Sequence, residues 1–389
     1  MLYYINFVNT IKLEMKILVA PDSFKESLSS KEACQAIVKG IIKILPNAEI
    51  VSIPLSDGGE GMIDSVISSG RGKLISITAC DPLMRDIESK IGVLEDKETA
   101  LIEVAAIIGL HLLKQEERNP MITSSYGVGQ LIKKALDLGY RKIIVGLGGS
   151  STNDGGIGML TALGVKFLDK NGQLLQLGTA SLEALTQIDL SGFDSRIMHT
   201  EFIIACDVVN PFVGNNGASF IYGPQKGATP EMVAILDSKL NHFSKIIENE
   251  LGVSIAYASG AGAAGGLGGA FMAFFNATLK PGFSIISELI DLEKHVKNSN
   301  LIISGEGKVD AQTLSGKVVF NIGMLGKKYN VPVVVFGGSV QPGSELLYEH
   351  GVSSIVCISS ESISMFESMK NAKVLLEDAV ERTLSLHSF

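Results

Sequence analysis

The sequence predicts an α/β protein with two α/β domains. One is a parallel-sheet domain of the Rossmann or flavodoxin-like kind built from both chain ends, and the other is an inserted mixed α/β domain. Three observations predict it. Short apolar runs alternate with helical patterns at both ends of the chain; the pattern between them reads instead as successive strands; and many of the apolar runs end in loops of glycine, serine and acidic residues.

The elements follow in order. The run "KILVA" at 16–20 reads as a strand, and residues 1–14 before it read as an N-terminal extension, with Met15 a second candidate start. Ser29 and Glu32 have capping-box spacing, and Ala33, Ala36, Ile37, Gly40, Ile41 and Ile44 recur at helical intervals until Pro46 closes the helix. "EIVSI" at 49–53 is the next strand. Residues 73–105 read as strands with turn signals, which suggests antiparallel pairing. "GQLIKKALDLG" reads as a helix with Gly139 just past its end, and Thr229-Pro230-Glu231 opens another, threonine as cap and proline in the first turn. Near the end, "NLIISGEGKVD" is a strand running into a loop and "GKVVFNIGMLGKKY" a helix. "VPVVVFGGS" and "SSIVCIS" are strands, and a closing helix spans about 369–386. The expected domains are 15–80 with 295–389, and 81–294 as the insertion.

With 33 basic against 41 acidic side chains the net charge is −8, which disfavours nucleic acid or an anionic membrane as partner. The four cysteines lie far apart without a C-x-x-C pair, as expected of reduced thiols in a cytoplasmic protein. Tyr257–Leu279 carries no charge, but its glycines suit a packed turn and a buried helix better than a membrane span.

In open α/β sheets ligands collect beyond the carboxyl ends of the strands. Here those ends carry "APDSFKES", "PLSDGGEG", "GLGGSSTNDGG", "ACDVVNP", "ISGEGKVD" and "FGGS". Such turns cap helices in many proteins, but their repetition with carboxylates and lysines points to an anion and metal site. No P-loop, H-E-x-x-H or G-x-S-x-G motif is present, and a single G-x-G-x-x-G, Gly260–Gly265, lacks an acidic partner downstream. Carboxylates, lysines and glycine loops without thiol or imidazole chemistry form the inventory of phosphoryl transfer: oxygen ligands for Mg²⁺, amides and lysine for phosphate, a carboxylate base for the acceptor hydroxyl. Two other classes remain open: a nucleotide-dependent dehydrogenase using Gly260–Gly265, and a non-catalytic binding or regulatory protein on the same fold.

The motifs "APDSFKESLSS", "PLSDGGEG", "DPLMRD", "GLGGSSTNDGG", "ACDVVNP", "YGPQKGATPE", "GAGAAGGLG" and "SGEGKVDAQT…GK" resemble, in order and spacing, those of the bacterial glycerate kinases. The departures are small: Ser151 stands where the family favours alanine, Lys308 where it favours arginine, Met84 where it favours glycine. Lysine for arginine loses a bidentate fork. The resemblance implies a two-domain α/β enzyme with its site in the cleft, phosphorylating D-glycerate from ATP with Mg²⁺. It also favours the 2-phospho product, a cytoplasmic location and a homodimer as candidate assembly.

Within these loops each residue has a candidate role. Asp310 is the first choice for base or Mg²⁺ ligand, with Glu306 beside it and Lys308 and Lys317 neutralising phosphate charge. Asp57, Gly58, Gly59 and Glu60 are candidates for positioning the substrate hydroxyls or the metal, as is the pair Asp207 and Asn210, Asp207 also as a metal ligand. Gly148, Gly149, Ser150 and Ser151 would present donors to an oxyanion, with Asn153 and Asp154 fixing metal or substrate. Ser23, Lys25 and Arg85 are candidates for the glycerate carboxylate or a phosphate oxygen.

Overall fold

The computed structural model describes residues 15–24, 27–56, 58–59, 61–314, 316–360 and 363–386. The expected extension 1–14 lies outside them. The chain separates into two compact units, Met1–Asp57 with Asp64–Gly70 and Phe283–Phe389, and Gly58–Ile63 with Arg71–Gly282.

The first unit contains a five-stranded sheet whose strands lie in the order Ser354–Cys357, Val333–Val340, Leu301–Val309, Lys16–Val19, Glu49–Ser52, every pair parallel. Numbered along the chain this is the order 2-1-3-4-5, that of flavodoxin-like folds. The order reverses between Lys16–Val19 and Leu301–Val309, the position at which open α/β sheets bind ligands beyond the strands' carboxyl ends. The interior strands are near-continuous apolar runs because helices cover both faces of a parallel sheet. Ile17, Val19, Ile303 and Phe336 pack with Ile37 and Ile41 of the helix Ser30–Ile44 and Leu376 and Val380 of the helix Ala372–Leu386. The expected capping box is present: Ser29 accepts from the Glu32 amide, and the Glu32 carboxylate accepts from the Ser29 amide.

The strand Leu301–Val309 is longer than the sequence suggests. "GEGKV" reads as loop, yet it keeps parallel register with the neighbouring strand, Glu306 opposite Gly337 and Lys308 opposite Ser339. Glycine makes this possible: a Cβ on Gly305 would lie 2.4 Å from the Phe336 carbonyl oxygen. The closing helix also differs, divided into Met365–Lys370 and Ala372–Leu386, the first opened by a capping box of Ser364 and Glu367.

The second unit holds a six-stranded sheet in the order Thr278–Lys280, Glu201–Ala205, Lys142–Gly146, Thr99–Glu103, Asp86–Leu94, Gly72–Cys80. The antiparallel expectation holds for the last three strands paired among themselves, but Thr99–Glu103 also pairs in parallel with Lys142–Gly146. Phe202, Phe243 and Phe271 fill the core with Ile102, Val145 and Ile204, beneath the helices Tyr126–Asp137, Pro230–Leu251 and Ala263–Phe274. Among the described residues no helix is long and apolar enough to cross a membrane.

The Gly260–Gly265 motif opens the helix Ala263–Phe274, but Ala264, Gly265 and Gly266 have left-handed dihedrals there. A Cβ on Gly262 would lie 2.1 Å from the Pro211 carbonyl oxygen, and one on Gly265 would lie 2.0 Å from that of Thr152. The motif therefore packs against the chain's own backbone, which removes the sequence basis for a dinucleotide at that turn. Gly265→Ala is expected to destabilise the protein by about 3 kcal/mol in urea unfolding, combining left-handed strain with a backbone clash. Gly252→Ala, at φ 71 but with nothing within 4 Å of its Cβ, is expected to lose only about 1 kcal/mol.

Candidate active site

In the first unit the site is built at the sheet's switch point. The Asp22 amide donates to the Gly305 carbonyl at 2.8 Å and the Ser304 hydroxyl donates to the Ala20 carbonyl at 2.8 Å, so the segment leaving Lys16–Val19 is stitched to the neighbouring strand. Asp22 is buried, and its carboxylate accepts from the Ser23 amide at 2.6 Å. The neighbouring strand Leu301–Val309 delivers Glu306 and Asp310, both more than nine-tenths buried. Thr313, at the turn Ala311–Leu314, links them: its hydroxyl donates to Glu306 and accepts from the Asp310 amide at 3.1 Å.

The Lys308 ammonium, 2.8 Å from Asp310 Oδ2, holds the Asp310 carboxyl below the usual carboxylate range, with the Gln312 amide and the Lys317 charge adding to it. Lys317 stands 3.8 Å from Glu306 Oε2. This cluster brings together four of the expected residues, Glu306, Lys308, Asp310 and Lys317. It offers two carboxyl groups flanked by two lysines, suited to orienting a hydroxyl against a phosphoryl group.

Among the described residues no group of three or more His, Cys, Asp or Glu side chains is placed to hold a metal ion. Of the expected ligands Asp310, Glu306 and Asp207, the first two share the cluster in the first unit, joined through Thr313. Asp207 belongs to the second unit, exposed, and accepts from the Gly282 amide at 3.0 Å. Two hard carboxylates still fit Mg²⁺, which takes one or two from a protein and completes its shell with water and phosphate oxygens.

In the second unit the glycine loop follows the strand Lys142–Gly146. Much of its glycine content serves backbone packing. A Cβ on Gly146 would lie 2.4 Å from the Gly58 carbonyl oxygen, and one on Gly148 would lie 2.5 Å from the Gly59 Cα. Gly58 and Gly59 thus approach another turn of the same unit. Asp154 is wholly buried and caps the turn into the helix Ile157–Ala162. It accepts from the Ser125 amide and hydroxyl at 2.8 and 2.9 Å, from the Gly156 amide at 3.1 Å and from the Gly158 amide at 3.2 Å. Burial raises its pKa against those donors. Asn153, also buried, donates to Ser219 at 3.0 Å, and the Ser151 amide and hydroxyl both donate to the Ile108 carbonyl.

Asn153, Asp154 and Ser151, expected to meet metal, substrate or an oxyanion, make these hydrogen bonds within their own unit and shape the loop. Gly148 and Gly149 are its solvent-exposed residues. Arg85, expected to meet a carboxylate or phosphate oxygen, pairs with Asp81 at 2.6 Å and Glu117 at 2.7 Å. Asn210 closes its own loop, donating to the Asn216 carbonyl and accepting from the Tyr222 hydroxyl. Lys25, Asp57 and Glu60 lie outside the described residues.

Sequence reasoning passed over Thr313, Asp22 and Lys226. Thr313 follows Asp310 at the spacing of a local turn, a readable signal. Lys226 sits in "YGPQKGATPE" with nothing to mark it as interior, yet it is buried and donates to Ser150 Oγ at 3.1 Å and to the Thr152 carbonyl at 2.6 Å.

A parallel sheet with paired carboxylates and lysines at a strand's carboxyl end, and a glycine loop in the second unit, is an α/β arrangement compatible with phosphoryl transfer. The glycerate kinase family model matches residues 17–388. Glycerate 2-kinase of Escherichia coli K12 is 43% identical over 92% of this chain and 94% of its own length. Glycerate kinase of Halalkalibacterium halodurans is 42% identical over 96% and 98%. The crystal structure of a provisionally named glycerate kinase 2 from Salmonella typhimurium LT2 superposes with a TM-score of 0.82 at 38% identity, covering 96% of this chain and 98% of that one. The chain belongs to the glycerate kinase family, and it is a kinase.

Burial pushes the Lys226 ammonium down from its ordinary 10.5 to about 7, against the opposing charge of Asp154. Between those values the unfolded chain binds more protons than the folded one, so this group makes stability rise with pH across the window from about 7 to 10.5 and adds no slope below it. Urea unfolding at about pH 7 and about pH 9 should therefore show wild type gaining on Lys226→Met. Parallel behaviour of the two proteins would contradict a burial-lowered lysine.

Proposed function

We propose that this protein transfers the γ-phosphoryl group of ATP to the 2-hydroxyl of D-glycerate, with Mg²⁺. The observation that carries the reading is the buried Glu306–Asp310 pair, flanked by Lys308 and Lys317, at the carboxyl end of a strand bordering the topological switch point. The 2-position is supported by the likeness to the E. coli enzyme named glycerate 2-kinase. The same reading takes the chain as two domains, close to the expected 15–80 with 295–389 and 81–294, and its support is the division of contacts near Arg71 and Gly282.

Asp310, held ionised by Lys308, orients the attacking hydroxyl and accepts its proton. A carboxylate with a lowered pKa is a weak base, but a loose phosphoryl transition state asks more for alignment than for early proton removal. Lys308 and Lys317 place positive charge beside the oxygens on which negative charge collects. Glu306 and Asp310 are the residues that would hold Mg²⁺, which supplies charge neutralisation at the phosphates when bound. Ser23 is the candidate contact for the substrate on the opposite side of the crevice. In the second unit the exposed Gly148–Gly149 turn is the candidate for nucleotide phosphate, where backbone amides serve without side chains in the way.

³¹P NMR of the product formed from D-glycerate, ATP and Mg²⁺ should give 2-phosphoglycerate. A 3-phospho product would overturn the regiochemistry, and no turnover would overturn the reading. Asp310→Asn is expected to lower kcat by about 10²–10⁴-fold with unchanged circular dichroism. Near-normal turnover would remove Asp310 from the central role.

A further inference from the structure

The motif "YGPQKGATPE" places a lysine where an apolar residue would ordinarily stand. Lys226 ends the turn Pro224–Lys226, and Gly227 follows in left-handed conformation at φ 95, where a Cβ would lie 2.2 Å from the Arg118 carbonyl oxygen. This tight turn directs Lys226 inward, and its ammonium donates to Ser150 Oγ at 3.1 Å and to the Thr152 carbonyl at 2.6 Å. Burying an ammonium is costly, and a methionine would fill similar space without that cost. What lysine adds is hydrogen bonding to the glycine loop.

The loop is anchored on three sides. Ser151 is tied to Ile108 and the Gly149 carbonyl accepts from the Leu110 amide at 2.9 Å; Asp154 is tied to Ser125; Lys226 holds the stretch between them. That stretch, Ser150–Thr152, directly follows the exposed Gly148–Gly149 turn. The loop does not satisfy its own side chains: Thr152 Oγ1 and Asn153 Oδ1 are buried with no hydrogen-bond partner. A loop held against its own hydrogen-bonding preference marks a conformation imposed from outside, and Lys226 is one of the groups imposing it.

We infer that Lys226 is a positioning residue for the nucleotide, fixing Ser150 and Thr152 so that the Gly148–Gly149 amides keep the geometry that receives phosphate oxygens. The inference rests on the reading of that turn as a phosphate site. Lys226 touches no substrate; it acts through the loop. Its loss therefore falls on ATP and spares glycerate.

The test uses the full chain. Lys226→Met should raise the KM for ATP about tenfold or more, with the KM for D-glycerate within about twofold of wild type and native circular dichroism. An unchanged KM for ATP in the folded variant overturns the inference, and so does an equal rise in both KM values, which a purely structural lysine would give. Should Lys226→Met fail to fold, Ser150→Ala, which removes one of the two acceptors, should raise the KM for ATP by about threefold in the same selective way, and no change there is equally fatal. Hydrogen exchange of wild type with and without ATP separates the two readings. Protection of the 146–152 amides by ATP supports the phosphate turn, and lack of protection in an active enzyme removes that turn and the inference with it. Protection together with an unaltered KM in Lys226→Met overturns the inference alone.

Discussion

Both candidate clusters depend on polypeptide backbones meeting where no side chain stands between them. In the first unit Gly305 lets Leu301–Val309 close on Val333–Val340, and a Cβ on Gly338 would lie 2.5 Å from the Gly307 carbonyl oxygen. That closeness keeps the pairing intact as far as Val309 and carries Glu306 and Asp310 to fixed places at the strand's end. In the second unit Gly146 and Gly148 lie against Gly58 and Gly59, and Gly265 lies on Thr152. A methyl group at any of these contacts would push a loop out of register, and close-packed interiors offer little slack.

Electrostatics then divides the two clusters into different kinds of chemistry. Asp310 is buried but bonded to the exposed Lys308, whose charge holds its carboxyl below the usual carboxylate range. Around Asp154 and Lys226 the charges are enclosed, and burial works against both ionised forms. The first arrangement suits contact with substrate. The second suits holding a loop still, because every oxygen of Asp154 already faces a donor of its own unit. Acidic residues in similar-looking loops thus meet opposite surroundings, one carboxyl lowered in pKa and the other raised.

The family assignment joins these parts. Relatives above 40% identity over nearly their whole length carry the glycerate kinase name, and a solved structure shares the fold at a TM-score of 0.82. A parallel sheet with a single reversal of order gives such an enzyme one crevice that strand geometry fixes without any ligand present. The paired carboxylates stand at the carboxyl end of a strand that borders that reversal.

Local patterns were legible without coordinates. The capping box at Ser29, the Thr229–Pro230 helix start, the glycine after the helix Tyr126–Asp137 and the apolar parallel strands are all set by neighbours within a few residues, so the chain carries them in plain order. The acidic strand end at Glu306–Asp310 was legible for the same reason. The length of Leu301–Val309 was not, because it depends on a partner strand about thirty residues away. Nor was the inward turn of Asp154, Asn153 and Lys226, whose partners Ser125, Ser219 and Ser150 come from remote segments. Sequence by itself determined which segments become strands and helices and which strand ends carry charge. Tertiary structure alone decided which of those charges stand beside exposed partners and which are enclosed by the protein, because burial is a property of the assembled neighbours and not of the residue.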